Sequence, residues 1–443
     1  MPHTSNKLKL TAAISLVISS MVGTGVFTSL GFQVGGTPSV FAILMLWLVG
    51  GIVAICGALN YSELATAMPR SGGEYNYLSK IYHPLLGFLS AFVSSLIGFA
   101  APAALSAMAF AKYFKTITEG TLLSNVTEVH IAVALITIIT IVNGISLKLS
   151  AALQTISTAL NLGLILFFVI AGVLHGANDS FVFSVSSVDI NYLFSNSFAT
   201  SLIYVSYAYS GWNSAIYIAS EIKNPEVNLT RSLVGGAGLV MIMYIALNLV
   251  FMLAVPLLQL SGQLDVGFLA AQAIFGGVGS KIVSAIICVA LLASVCAYTV
   301  FGPRVLHTLG TDYKVLSIFA SVTHAGIPVT ALLLQSFISV LLILTASFES
   351  IMTYIGMILG MFTFLVVMGV FIHRYTERKK GTLLKRSWGY PITTILFLII
   401  EGWTITFAAQ HKTTESLTGL LTLVVGSIVY FIATHINTQR SNE

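Results

Sequence analysis

Two uncharged apolar stretches carry glycine where a helix should run on. They read Met21-Val22-Gly23-Thr24-Gly25-Val26-Phe27 and Tyr207-Ala208-Tyr209-Ser210-Gly211-Trp212-Asn213. Backbone that leaves a helix inside a membrane must be buried in protein or line a cavity, because lipid satisfies neither N–H nor C=O. At the first break, the amides near Gly23, Thr24 and Gly25 head a half-helix. Such an end carries roughly half a positive charge and free donors, which suit a carboxylate. The Thr24 hydroxyl can add a hydrogen bond. At the second break, the carbonyls of Tyr207 and Ala208 close a half-helix and suit an ammonium group. Donors at one break and acceptors at the other match the zwitterion of an α-amino acid. Paired glycine interruptions at corresponding places in two halves point to the midplane site of a secondary transporter. The competing reading, glycines as helix-packing devices, suits a lone G-x-G better than a matched pair.

The surrounding elements must be membrane helices. The chain of 443 residues is 56% hydrophobic and 8% charged, against about 25% charged in a soluble domain. Charge-free intervals long enough for one helix of roughly 20 residues recur along it. They predict twelve spans, at 11–31, 39–66, 86–112, 129–147, 151–175, 197–220, 232–256, 279–306, 327–346, 350–373, 389–409 and 417–435. The first two separate at Gly35-Gly36-Thr37-Pro38, and the two breaks fall in the first and sixth. With the N-terminus inside, 16 of the 20 Lys and Arg face the cytoplasm, and only Lys112, Lys115, Lys281 and Lys412 fall outside. Positive-inside bias therefore predicts both termini in the cytoplasm, for a multi-pass protein expected in a bacterial-type cytoplasmic (inner) membrane. The same bias accounts for the formal charge of +5 without a nucleic-acid partner. The basic run 374–386 is a topology anchor, with lipid headgroups as a secondary use. The first span is long enough to remain a helix, so no cleavable signal peptide is expected.

No catalytic constellation stands out. Walker A, GxSxG and HExxH patterns are absent, the histidines are scattered, and the loops hold no soluble domain. No metal or other cofactor is expected, and no enzyme activity. Cys56, Cys288 and Cys296 all fall within spans, which argues against disulfides. Segments 11–31, 86–111 and 197–220 hold no charged side chain. Intramembrane charge costs at least ~2.5–3.5 kcal/mol and appears only where used, so a neutral amino acid is favoured. The faces of Trp212, Tyr207 or Phe99 leave a cation open. Glu401 is the one acid well inside a span, with a near-interface or subunit-contact role favoured over transport. Glu63 and Glu221 end the second and sixth spans as cytoplasmic-side network residues.

Several stretches, in order along nearly the whole chain, resemble the amino acid–polyamine–organocation superfamily. They are Val22 to Phe27, Tyr61-Ser62-Glu63-Leu64-Ala65, and Met68-Pro69-Arg70-Ser71-Gly72-Gly73-Glu74-Tyr75. Tyr207 to Asn213 continues into Glu221-Ile222-Lys223-Asn224-Pro225. Gly302-Pro303-Arg304, Gly326-Ile327-Pro328 and Trp388-Gly389-Tyr390-Pro391 complete the set. The subgroup most resembled is the L-type amino acid exchangers and their prokaryotic relatives. The resemblance implies an all-α LeuT-type 5+5 inverted repeat with about twelve transmembrane helices. The repeats would cover 1–178 and 190–375, with two accessory spans in 387–436. It also implies sodium-independent, rocking-bundle alternating access. By the same resemblance, the Thr24 and Gly25 amides hold the substrate carboxylate. The carbonyls of Met21, Tyr207, Ala208 and Ser210 hold the ammonium. Tyr207 closes over the substrate, and Trp212 and Asn213 lie near the pocket wall beside Val22, Gly23 and Gly211. Many relatives carry a lysine in the fifth span, and aligning Leu153-Gln154-Thr155-Ile156 puts Asn161 there. Asparagine cannot titrate, which favours exchange or facilitated transport over proton coupling by that route. Family light chains pair through an outside cysteine. None is predicted here, so no disulfide-linked partner subunit is expected.

The leading expectation is a permease for neutral L-amino acids, acting as an antiporter or by proton-coupled uptake. The alternatives are a cationic amino acid or polyamine antiporter, and an amino acid sensor that binds without transport.

Overall fold

The computed structural model describes residues 7–68, 73–121, 125–146, 148–381 and 387–441. Residues 69–72, including Arg70, and Lys385 and Arg386 lie outside that set, as do the side chains of Gln154 and Thr155.

Each apolar run forms a helix, as the need to pair every backbone group in lipid requires. The first half contains α1 (Leu10–Met21), α2 (Thr24–Thr28), α3 (Leu30–Gly36), α4 (Val40–Ala67), α5 (Gly73–Ile81), α6 (Pro84–Val93), α7 (Ala100–Thr118), α8 (Glu128–Ile145) and α9 (Lys148–His175). The second contains α10 (Ser187–Tyr192), α11 (Asn196–Tyr209), α12 (Pro225–Ala254), α13 (Leu257–Leu260), α14 (Val266–Asp312), α15 (Val329–Thr345) and α16 (Phe348–Lys379). α17 (Ile392–His411) and α18 (Thr413–Ser441) follow. A π-helical turn at Ser94–Gly98 joins α6 to α7, and a 3-10 segment, Ser214–Glu221, follows α11.

Among the described residues, nine helices are long and apolar enough to cross a membrane, and α1 and α15 are shorter apolar ones. The sixth expected span does not qualify by length because the break cuts it after Tyr209. α14 is 47 residues long, but Gly276 (φ 72°) divides it into a short leading helix and the eighth span.

Helix starts follow local chemistry. Ser39, Thr127, Ser195 and Ser347 cap α4, α8, α11 and α16 with side-chain oxygens. Such caps are typically worth ~1 kcal/mol. Pro84 and Pro225 occupy first-turn positions, where no N–H is missed.

α4 and the α6–α7 helix are the most enclosed, and α18 the least. α4 packs against α12, α11 and α17, while α14 packs against α7 and α9. In lipid this packing rests on close contact rather than on expelled water. Gly50 of α4 provides it: a Cβ there would lie 2.3 Å from Val205.

Polar ties sit at opposite ends of the bundle. At the end near the N-terminus, Leu8 bridges to Ile222, with Leu8 N–H donating to the Glu221 carbonyl at 2.8 Å. There too Arg374 Nη2 of α16 meets Glu63 Oε2 of α4 at 2.6 Å, and the Ser387 amide donates to the same oxygen at 3.0 Å. The opposite end holds Lys412 with Glu349 at 2.8 Å, and Ser39 donating to Asp189 at 2.7 Å. The hydroxyls of Ser186 and Ser39 hold the Asp189 carboxyl well below the usual carboxylate range.

Candidate functional site

The first break forms where α1 stops. Val22 turns extended (φ −77°, ψ 101°), and helix resumes at Thr24. Ser29 stays helical (φ −79°, ψ −23°), so α2 and α3 make one run from Thr24 to Gly36. The amides of its first turn have no carbonyl of a preceding turn to bond.

The second break forms at Ser210 (ψ 148°) and Gly211, whose φ of 95° favours glycine. The chain re-enters a 3-10 turn through Ser214 N–H to Gly211 O at 3.0 Å.

The two breaks touch. A Cβ on Gly25 would lie 2.6 Å from Ala208 Cα, and one on Gly211 would lie 2.4 Å from the Ser20 carbonyl oxygen. No side chain fits at either point, which explains glycine at both. The hydroxyl of Tyr244, on α12, lies 2.7 Å from the Met21 carbonyl and 3.2 Å from the Ala208 carbonyl, so it serves both breaks. Thr24 Oγ1 shares a 2.6 Å hydrogen bond with Ser106 of α7. Tyr207 faces Thr24 and Tyr298, and the Tyr298 hydroxyl lies 3.9 Å from where a Gly23 Cβ would stand. Met21, Val22, Thr24, Gly25, Tyr207 and Ala208 are buried, and Gly23, Ser210 and Gly211 are half-buried. The assembled groups are neutral: amides at one edge, carbonyls at the other, hydroxyls between them.

Three other sequence candidates go elsewhere. Trp212 packs onto α4, where a Gly57 Cβ would lie 2.8 Å from its ring, and edge-on to Tyr61 at 4.8 Å between centroids. Asn213 donates to Glu74 Oε1 at 3.3 Å. Asn161 is buried on α9, a helix that packs against α12 and α14. Glu401 is buried within the chain, against α16, where a Gly360 Cβ would lie 2.4 Å from its Oε1; this departs from an outer subunit contact. Glu63 ties α4 to α16, while Glu221 contributes its backbone carbonyl at the same end. Sequence reasoning missed Tyr244, Ser106 and Tyr298. Their only signal is a polar atom on an otherwise apolar helix. A separate hollow of about 420 Å³ lies toward the opposite end, lined by Phe32, Tyr204, Glu349 and Lys412 among others.

The sequence profile described as amino acid permease matches residues 8–430. The chain belongs to that family. It is thus a member of the amino acid–polyamine–organocation superfamily, with the superfamily's LeuT-type helical fold. The permease is 25% identical to b(0,+)-type amino acid transporter 1 of Mus musculus, over 96% of this chain and 87% of the relative. It is 24% identical to large neutral amino acids transporter small subunit 2 of Mus musculus, over 97% and 81%. It is 25% identical to the serine/threonine exchanger SteT of Bacillus subtilis (strain 168), over 95% and 94%. The permease is a multi-pass membrane transporter of amino acids and not an enzyme.

Proposed function

We propose that this permease exchanges neutral L-amino acids across a cytoplasmic (inner) membrane, without sodium, with both termini in the cytoplasm. The observation that carries the reading is the contact of the two breaks beneath one shared hydroxyl, Tyr244. The Thr24 and Gly25 amides receive the substrate carboxylate, and the carbonyls of Met21, Tyr207, Ala208 and Ser210 receive the ammonium. Neutral groups around the breaks favour a neutral side chain over a cationic one, since a buried charge needs a partner. Asn161 supports exchange over proton coupling through the fifth span. Two of the relatives' names, a transporter of large neutral amino acids and an exchanger of serine and threonine, agree with this choice, whereas the b(0,+) name of another leaves a cationic substrate open. Segments 1–178 and 190–375 act as the two repeats that alternate access, with 387–436 accessory. Cys56, Cys288 and Cys296 are buried, which supports a chain without a disulfide-linked partner.

The test is uptake of labelled neutral amino acids into sodium-free proteoliposomes, with and without unlabelled amino acid inside. The expected result is flux only when the vesicles are preloaded. Equal flux into empty vesicles contradicts exchange, as does binding of neutral amino acids without flux from preloaded vesicles.

A further inference from the structure

The 61–75 motif takes no part in the site above, yet it places a buried carboxylate beside the second break. Glu74 of α5 is 8% exposed. Its Oε1 accepts from the Tyr61 hydroxyl of α4 at 2.8 Å and from the Asn213 amide at 3.3 Å. Its Oε2 lies 3.4 Å from the Ser90 hydroxyl of α6. Tyr77 of its own helix and Tyr217 of the 3-10 segment also face it. Gly73 (φ 51°) seats directly on the Tyr217 ring, where a Cβ would lie 2.4 Å from Cε1. Among the described residues no cation pairs with Glu74. On α16, which also packs against α5, Arg374 is committed to Glu63 and Glu377 to Lys380. At the start of α6, His83 caps that helix through the Leu85 amide.

A carboxylate withdrawn from water without a cation is costly, and neutral donors offset only part of that cost. Burial accordingly pushes the Glu74 carboxyl above its ordinary value, against the hydrogen bonds from Tyr61 and Ser90. The protonated group fits the geometry. Its carbonyl oxygen accepts from Tyr61 and Asn213, and its hydroxyl donates to Ser90.

We propose that Glu74 is a positioning residue that binds a proton and, while protonated, holds the inner half of the second broken helix against α4 and α6. Loss of the proton frees that half to move, so that turnover depends on pH at the N-terminal side of the membrane. The sign follows from linkage: the conformer that binds the proton better is the one protonation favours. The effect on flux rests on the exchange proposed above, whereas the effect on conformation does not.

Two readouts test this between about pH 5 and about pH 8. One is exchange in proteoliposomes; the other is the Trp212 contribution to fluorescence, taken as the difference from a Trp212→Phe variant. In the unaltered protein both titrate with one midpoint above the ordinary carboxylate range, and exchange rises several-fold with pH. Glu74→Gln still binds labelled amino acid, but both readouts become flat at the acidic level. Tyr61→Phe, which removes a donor to the carboxylate, moves the midpoint upward. Flux or fluorescence in Glu74→Gln that keeps the original pH profile overturns the proposal, as does a flat fluorescence profile in the unaltered protein. Fluorescence that titrates through Glu74 without exchange flux supports the latch and removes the exchange reading. Flux with no pH response in either readout does the reverse.

Discussion

At the residue scale the central contact is Gly25 against Ala208. An added methyl must displace backbone, and overpacking of this kind costs about 1–3 kcal/mol. Gly25→Ala should weaken substrate binding about tenfold or more, since 1.4 kcal/mol is a factor of ten. Gly238→Ala on α12, which meets nothing within 4 Å, should leave binding unchanged. Equilibrium binding of a labelled neutral amino acid to detergent-purified protein checks both. Tyr244→Phe removes the one hydroxyl that serves both Met21 and Ala208. Each unsatisfied buried carbonyl costs about 1–3 kcal/mol, so the breaks should relax and affinity fall about tenfold. The same binding assay reads it, and unaltered affinity would detach Tyr244 from the site. The glycines were legible in the sequence because a backbone requirement is local. Tyr244 was not, because nothing around position 244 shows that its hydroxyl points at a carbonyl 223 residues away in sequence.

At the element scale α16 is fastened to α4 by Arg374 and Glu63, with side chains 13% and 4% exposed. Arg374 also lies over the Tyr390 ring, 4.0 Å from its centroid. Removing one partner of a buried pair costs about 3–5 kcal/mol, because the other charge is left alone. Arg374→Gln should therefore lower the melting temperature clearly, and adding Glu63→Gln should recover part of the loss. A thermal unfolding cycle over the two single variants and the double variant measures the coupling, and simple additivity would count against it. Glu63 was recognisable as a residue at a helix end, but its partner is over 300 positions away and no sequence pattern connects them. The span boundaries were legible because a long apolar run admits few structures in lipid. The 3-10 form of the inner half of the sixth span was not, since residues 214–220 are simply an uncharged continuation of the span to a hydropathy reading.

For the whole molecule, the charge asymmetry makes an orientation prediction. In a background lacking Cys56, Cys288 and Cys296, cysteine at Lys412 should react with an impermeant maleimide in intact cells. Cysteine at Lys380 should react only after permeabilisation. The opposite pattern would invert the topology. Stability should also follow Glu74. Its folded-state value is raised above the ordinary 4.5 by burial, so its contribution is full below about 4.5 and lost as pH rises through the folded value. The melting temperature should fall as pH rises above the ordinary carboxylate range, and that component should vanish in Glu74→Gln. An unchanged slope in the variant would assign the pH response to another group.

The measurement that bears most directly on the central claim is the position of a bound neutral L-amino acid in an experimental structure of the complex. The account predicts its carboxylate on the Thr24 and Gly25 amides and its ammonium at the carbonyls of Met21 and Ala208. A ligand lodged instead between Glu349 and Lys412, with the two breaks closed on each other, would contradict it.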